Sequence, residues 1–242
     1  LQRLGLDDVA GRVRAVPLGT EPAHFRPGVD TTVVRRRYAL DGGPWLLTVA
    51  RLEWHKGIDT VIRALPHIRA RHPGVRYAVA GEGERRPELE RLANAAGMGD
   101  AVRFLGAVSD DELPALYNAA DVYLGVSRRH ELLAEGFGIS LVEAAACGLA
   151  VVGGRSAGVP DAVRDGATGV LVDPDDPSAV AAAAVALLAD PARRRALGAA
   201  GRRAVETYFN WDRVIRDIRA IEDEIRSPFP PRASAPRLPA AR

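Results

Sequence analysis

From Pro44 to Val172 the chain alternates short apolar runs with stretches of helical periodicity, and this alternation constrains its fold more than any other feature. Residues 45–50, 75–80, 102–105, 122–124, 150–152 and 169–172 have the length and composition of strands. Between them the spacing predicts helices over about 58–71, about 87–96 and 139–147, one opened by Ser109-Asp-Asp-Glu112, and one around Asp161. Ser109 with Glu112 fits a capping box. Strands separated by helices imply crossover connections and a parallel sheet covered on both faces. The expected fold is therefore α/β, a doubly wound, Rossmann-like parallel sheet. Asp176-Pro177 supplies an N-cap and a first-turn proline, and extra C-terminal helices are expected over about 178–188, 193–208 and 212–226.

Composition removes several classes of function. At 242 residues and 47% hydrophobic content the chain can bury a core, as one large domain or two small ones. The 33 basic and 31 acidic residues nearly cancel, and no basic stripe interleaved with aromatics is present, so nucleic acid is not an expected partner. The longest apolar run, 180–189, is mostly alanine and half the length of a membrane span, so no transmembrane segment is expected. A single cysteine, Cys147, excludes an internal disulfide and a Cys-rich metal site and fits a cytoplasmic setting. It reads as a small packed core residue.

The ends differ from the middle. The chain opens at Leu1 without a methionine or signal segment, so its natural start is expected upstream. Residues 3–11 read as a helix end, 13–19 as a strand of a different domain and 21–27 as a connector. Residues 227–242 are rich in Pro, Ala and Arg and are expected to form a disordered tail. These readings divide the chain at 1–27, 28–211, 212–226 and 227–242.

In such sheets ligands sit beyond the carboxyl ends of the strands. Four loops qualify: 51–57, Gly81-Glu82-Gly83, 106–109 and 127–138. The last runs into Glu135-Gly-Phe-Gly-Ile-Ser-Leu-Val-Glu143, which places two carboxylates eight residues apart around a glycine-flanked turn that opens a helix. That helix is apolar except at Ser140 and Glu143, and no basic residue lies three or four positions from Glu143. The carboxylate needs a partner from elsewhere, and a ribose diol would supply two hydrogen bonds. Gly136 and Gly138 let backbone approach a ligand, and the helix start near Ile139 offers N–H groups to a diphosphate. The plain alternative is a glycine turn in which Glu135 favours the helix start.

Arg51 and Lys56 leave the first strand together. Two cations there could hold a leaving diphosphate, or they could be solvated loop charges. Lys56 is the only lysine among the 33 basic residues. Gly81 is either a ligand-approach position or part of an ordinary tight turn. Asp173-Pro-Asp175 matches a bare Asp-x-Asp metal pattern, but turn and capping duties explain it, and no metal site is expected. His24, His55, His67, His72 and His130 are scattered and read as solvated, with His55 and His130 nearest the candidate loops. Arg128-Arg129-His130-Glu131 either lines an acceptor path or forms a charged loop.

Arg51-Leu-Glu-Trp-His-Lys56-Gly, Ala80-Gly-Glu-Gly-Glu, Val102-Arg-Phe-Leu-Gly, Leu116-Tyr-Asn-Ala-Ala-Asp121, the Glu135 to Glu143 segment and Thr168-Gly-Val-Leu-Val-Asp-Pro occur in a fixed order. In order and spacing they resemble the donor-binding, C-terminal half of the retaining glycosyltransferases group 1, a family with the GT-B fold and a Glu-x7-Glu motif. The resemblance covers about residues 13–226. It implies that Glu135 lies beside the transferred sugar, that Glu143 binds the ribose hydroxyls, and that Arg51 and Lys56 stabilise the leaving diphosphate. Backbone around Ala107 and Val108 would meet the base, and Gly81, Gly136, Phe137, Gly138 and Ile139 would line the donor site.

The resemblance further implies a nucleoside diphosphate sugar donor, such as GDP-mannose or a UDP-sugar, with no separate cofactor. The other partners it implies are a hydroxyl acceptor (sugar, lipid or small molecule) and an N-terminal acceptor domain. Residues 1–27 would be a remnant of that domain with its connector, and 212–226 would cross back to pack on it. Peripheral membrane association of the full protein would follow from mannosyltransferases of lipid or envelope assembly, which the pattern suggests by analogy. The alternatives are a sugar-nucleotide epimerase or hydrolase on the same fold, or a nucleotide-binding fragment inactive alone. Ser156-Ala-Gly-Val-Pro-Asp161 departs from the family, with alanine and aspartate where glycine and glutamate are common, which bears on donor preference.

Overall fold

Each apolar run becomes a strand in a computed structural model that describes residues 13–130 and 132–226. The strands are β1 (Trp45–Val49), β2 (Arg76–Ala80), β3 (Val102–Gly106), β4 (Val122–Gly125), β5 (Ala150–Gly154) and β6 (Val170–Val172). They form one six-stranded sheet in the order β3-β2-β1-β4-β5-β6, parallel at every pairing. Side chains alternate between two buried faces, as the pleat requires. Leu47, Ala78, Tyr123 and Val151 enter one core layer. Leu46, Tyr77, Val79, Val122 and Val152 enter the other.

The helices are α1 (Thr32–Tyr38), α2 (Ile58–Arg71), α3 (Arg86–Ala95), α4 (Leu113–Ala119), α5 (Ile139–Ala146), α6 (Val159–Ala162), α7 (Pro177–Ala189), α8 (Pro191–Thr207) and α9 (Trp211–Arg226). Apolar residues of α4, α5 and α8 share the first layer with the sheet. Those of α2, α3 and α7 share the second. Helix α2 continues through Pro66, which costs about 3 kcal/mol by removing a hydrogen bond and crowding the preceding turn. Ile62, Leu65 and Ile68 are fully buried around it, each contributing roughly 1.5–3 kcal/mol, so packing outweighs the break.

Gly198 of α8 has no room for a side chain, since a Cβ there would stand 2.0 Å from the Gly148 carbonyl oxygen. One turn on, a Cβ on Gly201 would meet the Ala145 Cβ at 3.1 Å. Helix α8 therefore lies against α5 and the start of β5 at close range.

Two local expectations are corrected, and one helix is added. Helix α1 was not foreseen, because its segment is β-branched and arginine-rich with only Val34 buried; Arg35 anchors it by donating to the carbonyls of Leu40 and Ala119 at 2.9 and 2.8 Å. No capping box forms at Ser109, since α4 begins later, at Leu113, with no side-chain cap. The Glu112 carboxylate is taken instead by Arg37 and by the Ser109 hydroxyl. Residues 13–19 are not a strand. They lie along α9, where Arg213 donates to the Pro17 carbonyl at 2.5 Å and Thr20 N–H donates to Phe209 at 2.9 Å. The readings of residues 3–11 and 227–242 fall outside the described residues.

The strand order contains one reversal. After β1 the chain steps outward through β2 and β3, then returns to the other side of β1 to lay down β4, β5 and β6. The loops after β1 and β4 thus diverge from neighbouring strands and leave a crevice between them, the usual ligand position in an open parallel sheet.

Candidate active site

Lys56 and Glu135 face each other across that crevice. The loop after β1 ends in a 3-10 turn, Trp54–Lys56, capped by Gly57 at φ 67°. A Cβ at Gly57 would stand 2.2 Å from the Val126 carbonyl oxygen, so the loop after β4 rests directly on this turn. The Lys56 ammonium donates to Glu135 Oε2 at 2.6 Å, and both side chains are less than one-fifth exposed. Ser127 Oγ donates to the same oxygen at 3.2 Å. Burial pushes the Glu135 carboxyl up, but the Lys56 hydrogen bond and charge, aided by Ser127, outweigh it and hold the group below its ordinary range.

The turn that carries Lys56 is clamped from outside the crevice. Arg85 and Arg128 both lie over the Trp54 ring, at 3.8 and 4.7 Å from its centroid. Arg128 also donates to Asp59 and Thr60, each at 2.8 Å, and its backbone N–H reaches the His55 carbonyl at 2.8 Å. Arg128 and Asp59 are buried, so the expected charged loop is one buried anchor followed by exposed Arg129 and half-buried His130. A polar cleft of about 320 Å³ opens beside it, lined by Trp54, Arg63, Arg128, Arg129, His130 and Asp175 among others. His55 is likewise buried rather than solvated, and burial followed by the Lys56 charge lowers its pKa.

Glu143 lies half-buried on α5. Its partner inside the protein is Tyr117 of α4, whose hydroxyl donates to Oε2 at 2.8 Å. An argument confined to helical neighbours could not find it, because Tyr117 comes from another helix 26 residues away. Burial raises the Glu143 pKa above its ordinary range, the Tyr117 bond opposes that only in part, and the Asp110 charge adds to the rise. One turn earlier, Ser140 Oγ accepts from the Tyr123 hydroxyl at 2.7 Å, and that hydroxyl also contacts Val49 O at 3.1 Å. The end of β1 and the first turn of α5 are thereby tied together.

The remaining candidates divide. Helix α5 opens at Gly138, φ 93°, with no side-chain cap over its first N–H groups. Gly136 and Ile139 are exposed beside it, whereas Gly138 is buried. The Phe137 side chain does not face the crevice rim but packs in the core, 5.7 Å from the Phe209 ring. Arg51 is 73% exposed and paired with Glu53 at 2.6 Å, apart from the Lys56–Glu135 contact. Gly81, at φ 131°, has its Cβ position 2.0 Å from the Ala50 carbonyl oxygen, so contact between the loops after β1 and β2 accounts for the glycine. Val108 packs partly against the core.

Asp173 and Asp176 serve turn and cap, as expected, accepting from the N–H groups of Asp175 and Ser178 at 2.9 and 2.8 Å. Among the described residues no group of three or more His, Cys, Asp or Glu could hold a metal ion. Cys147 is buried, as expected. No described helix is long and apolar enough to cross a membrane.

Residues 30–204, which include Lys56, Glu135 and Glu143, match a family model described as glycosyl transferases group 1. The chain belongs to this family. Among curated relatives of this chain is a GDP-mannose-dependent alpha-(1-6)-phosphatidylinositol monomannoside mannosyltransferase of Mycolicibacterium smegmatis, 40% identical over 81% of the chain and 52% of the relative. A D-inositol 3-phosphate glycosyltransferase of Acidothermus cellulolyticus is 39% identical over 87% of the chain and 47% of its own length. The chain thus spans about half the length of the curated relatives it matches. The solved C-terminal domain of a group 1 glycosyl transferase from Francisella tularensis shares the fold over its entire length, with a TM-score of 0.69, 24% identity and 80% of this chain covered.

The segment 156–161, which departs from the family pattern, supports the site. The Gly158 N–H donates to the Glu135 carbonyl at 3.0 Å, so α6 helps fix the loop that carries the first glutamate. Sequence reasoning missed Arg128, Tyr117 and Gly158 as supports. Asp59, in the first turn of a helix whose neighbours Ile58, Val61 and Ile62 are all buried, already has a cation one turn on in Arg63 at 2.7 Å, so nothing in the sequence pointed to Arg128.

Proposed function

We propose that this chain is the donor-binding half of a retaining hexosyltransferase, which moves a sugar from a nucleoside diphosphate sugar to a hydroxyl acceptor. The observation that carries the reading is the Lys56–Glu135 contact across the crevice, 2.6 Å long, at the start of the helix that bears Glu143. Lys56, with Arg51 swinging from its exposed position, meets the charge that grows on the departing diphosphate. Glu135 accepts hydrogen bonds from the sugar and shares Lys56 with the phosphate. Glu143, an acceptor-only group while ionised, takes the ribose hydroxyls. Backbone near Ala107 and Val108 meets the base, and the uncapped start of α5 at Ile139, reached past Gly136 and Gly138, faces the diphosphate.

GDP-mannose is the favoured donor, on the strength of the mannosyltransferase relative's name; a UDP-sugar is the competing donor. The acceptor site belongs to a further domain that completes the cleft, which accords with a chain that spans about half the length of these relatives. In this reading residues 28–211 form the donor domain, and α9 docks the other half through Trp211, Ile215, Ile218 and Ile225, all exposed here. Calorimetric titration with GDP, UDP and ADP tests the assignment. GDP is expected to bind most tightly, and Glu143→Ala to weaken it with the fold intact. Failure of all three nucleotides to bind would sink the reading, and robust transfer by residues 1–242 alone would refute the half-site.

A further inference from the structure

Tyr117 does more than fill the core. Its side chain is completely buried, and the ring is boxed in by Tyr123 and Phe25, with centroids 5.7 and 5.9 Å away. The one hydrogen bond its hydroxyl makes among the described residues is to Glu143 Oε2, at 2.8 Å. Glu143 accepts no other hydrogen bond from a described side chain, in contrast to Glu135, which has both Lys56 and Ser127. A carboxylate offers about four acceptor positions, so Tyr117 occupies one and leaves the others for a ligand that donates. The charged groups that act on it, Asp110 and His24, form no hydrogen bond to it.

A glutamate side chain that swings freely loses rotamer freedom when a ligand fixes it. A hydroxyl mounted on a ring that cannot move removes much of that cost before the ligand arrives. We infer that Tyr117 is a positioning residue for the nucleotide, its hydroxyl holding the Glu143 carboxylate in the orientation that accepts from a vicinal diol. This rests on the proposed role of Glu143 at the ribose. The preference it creates is for ribonucleotides over nucleotides that lack the diol, and it acts without Tyr117 touching the ligand.

The experiment is calorimetric titration of the full chain with GDP and UDP, each beside its 2′,3′-dideoxy form. Wild type is expected to bind the better ribonucleotide about tenfold or more tightly than its dideoxy form. Tyr117→Phe keeps the ring and its packing, and is expected to weaken the ribonucleotide about 5- to 10-fold while changing the dideoxy form less than about twofold. In a Glu143→Ala background the same substitution should change ribonucleotide affinity less than about twofold. Wild type that discriminates while Tyr117→Phe leaves discrimination intact, or weakens both forms equally, overturns the role of Tyr117 alone. Wild type that fails to discriminate, or binds neither nucleotide, overturns the reading of Glu143 and this inference together.

Discussion

Replacing Lys56 with methionine keeps a flexible side chain of similar length and removes one cation from the crevice. In the folded chain its ammonium lies 2.6 Å from Glu135 Oε2. At that separation the gross attraction is about 6 kcal/mol for an effective dielectric of roughly 20, against a desolvation cost of several kcal/mol for each ion. The intact pair is therefore worth little, whereas an orphaned carboxylate is costly. After the substitution Glu135 retains only the Ser127 hydroxyl at 3.2 Å as a donor.

Both partners keep some contact with water. That discounts the roughly 3–5 kcal/mol lost on breaking a fully buried pair to about 1–2 kcal/mol. For a domain of this size the loss corresponds to a fall in Tm of about 2–8 °C at neutral pH. Glu135 has a depressed pKa in the folded state, so its stabilisation is fully present above its unfolded value and lost as pH falls through the folded one. The gap between wild type and variant should therefore narrow as pH drops below the ordinary glutamate value of 4.5. In binding, an ammonium–phosphate hydrogen bond of about 1.5–3 kcal/mol corresponds to a 10- to 150-fold loss of GDP affinity. Guanosine, which lacks the diphosphate, should lose less than about twofold on the same scale. Thermal melts across pH with titrations of both ligands decide the matter; equal losses for GDP and guanosine would refute the phosphate role, and a gap unchanged by pH would refute the pairing energetics.

Glu135→Gln should act in the opposite direction on the same ligand, raising GDP affinity about 3- to 10-fold by freeing Lys56 and removing a negative neighbour; unchanged or weaker binding by calorimetry would count against a shared Lys56. Because burial raises the Glu143 pKa, GDP affinity should begin to fall on acidification while pH is still above 4.5, with Glu143→Gln and 2′,3′-dideoxy-GDP both flat over that interval; a parallel fall in all three would assign the effect to another group. Arg128→Met should destabilise the fold by about 2–3 kcal/mol, the low end of a broken buried pair, since Arg63 still reaches Asp59 at 2.7 Å. Urea denaturation showing less than about 0.5 kcal/mol of loss, the range of ordinary surface substitutions, would mean that the network around Trp54 is not what holds the turn.

The sheet was legible because its signal is local. Runs such as Trp45 to Val49 and Arg76 to Ala80 carry their own length and composition, and the parallel order follows once helices separate them. The Glu135 to Glu143 segment stood out for a related reason, since its glycines and two carboxylates lie close together around a helix start. What stayed hidden depends on contacts between distant segments. Tyr117 pairs with Glu143 across 26 positions and Arg128 with Asp59 across 69, and neither spacing leaves a period to detect. Helix α1 was hidden differently, because its anchor Arg35 satisfies carbonyls at Leu40 and Ala119 rather than presenting an apolar stripe. His55 was misjudged as solvated since nothing in its neighbours announces that the 3-10 turn folds inward.

Helix α8 leans on α5 and β5 at glycines, with Gly198 against the Gly148 carbonyl and Gly201 against Ala145. The seat of the helix that carries Glu143 is therefore fixed partly by backbone contact, which admits no gradual adjustment by swapping side chains of different volume. A side chain at Gly198 would collide with the Gly148 backbone and push α8 off its seat against the helix that carries Glu143, whereas one at Gly201 asks Ala145 to give by only a few tenths of an ångström. Divergence in ligand preference, whether by descent or by design, is left with the loops at the strand ends, where a residue can change without shifting its supports.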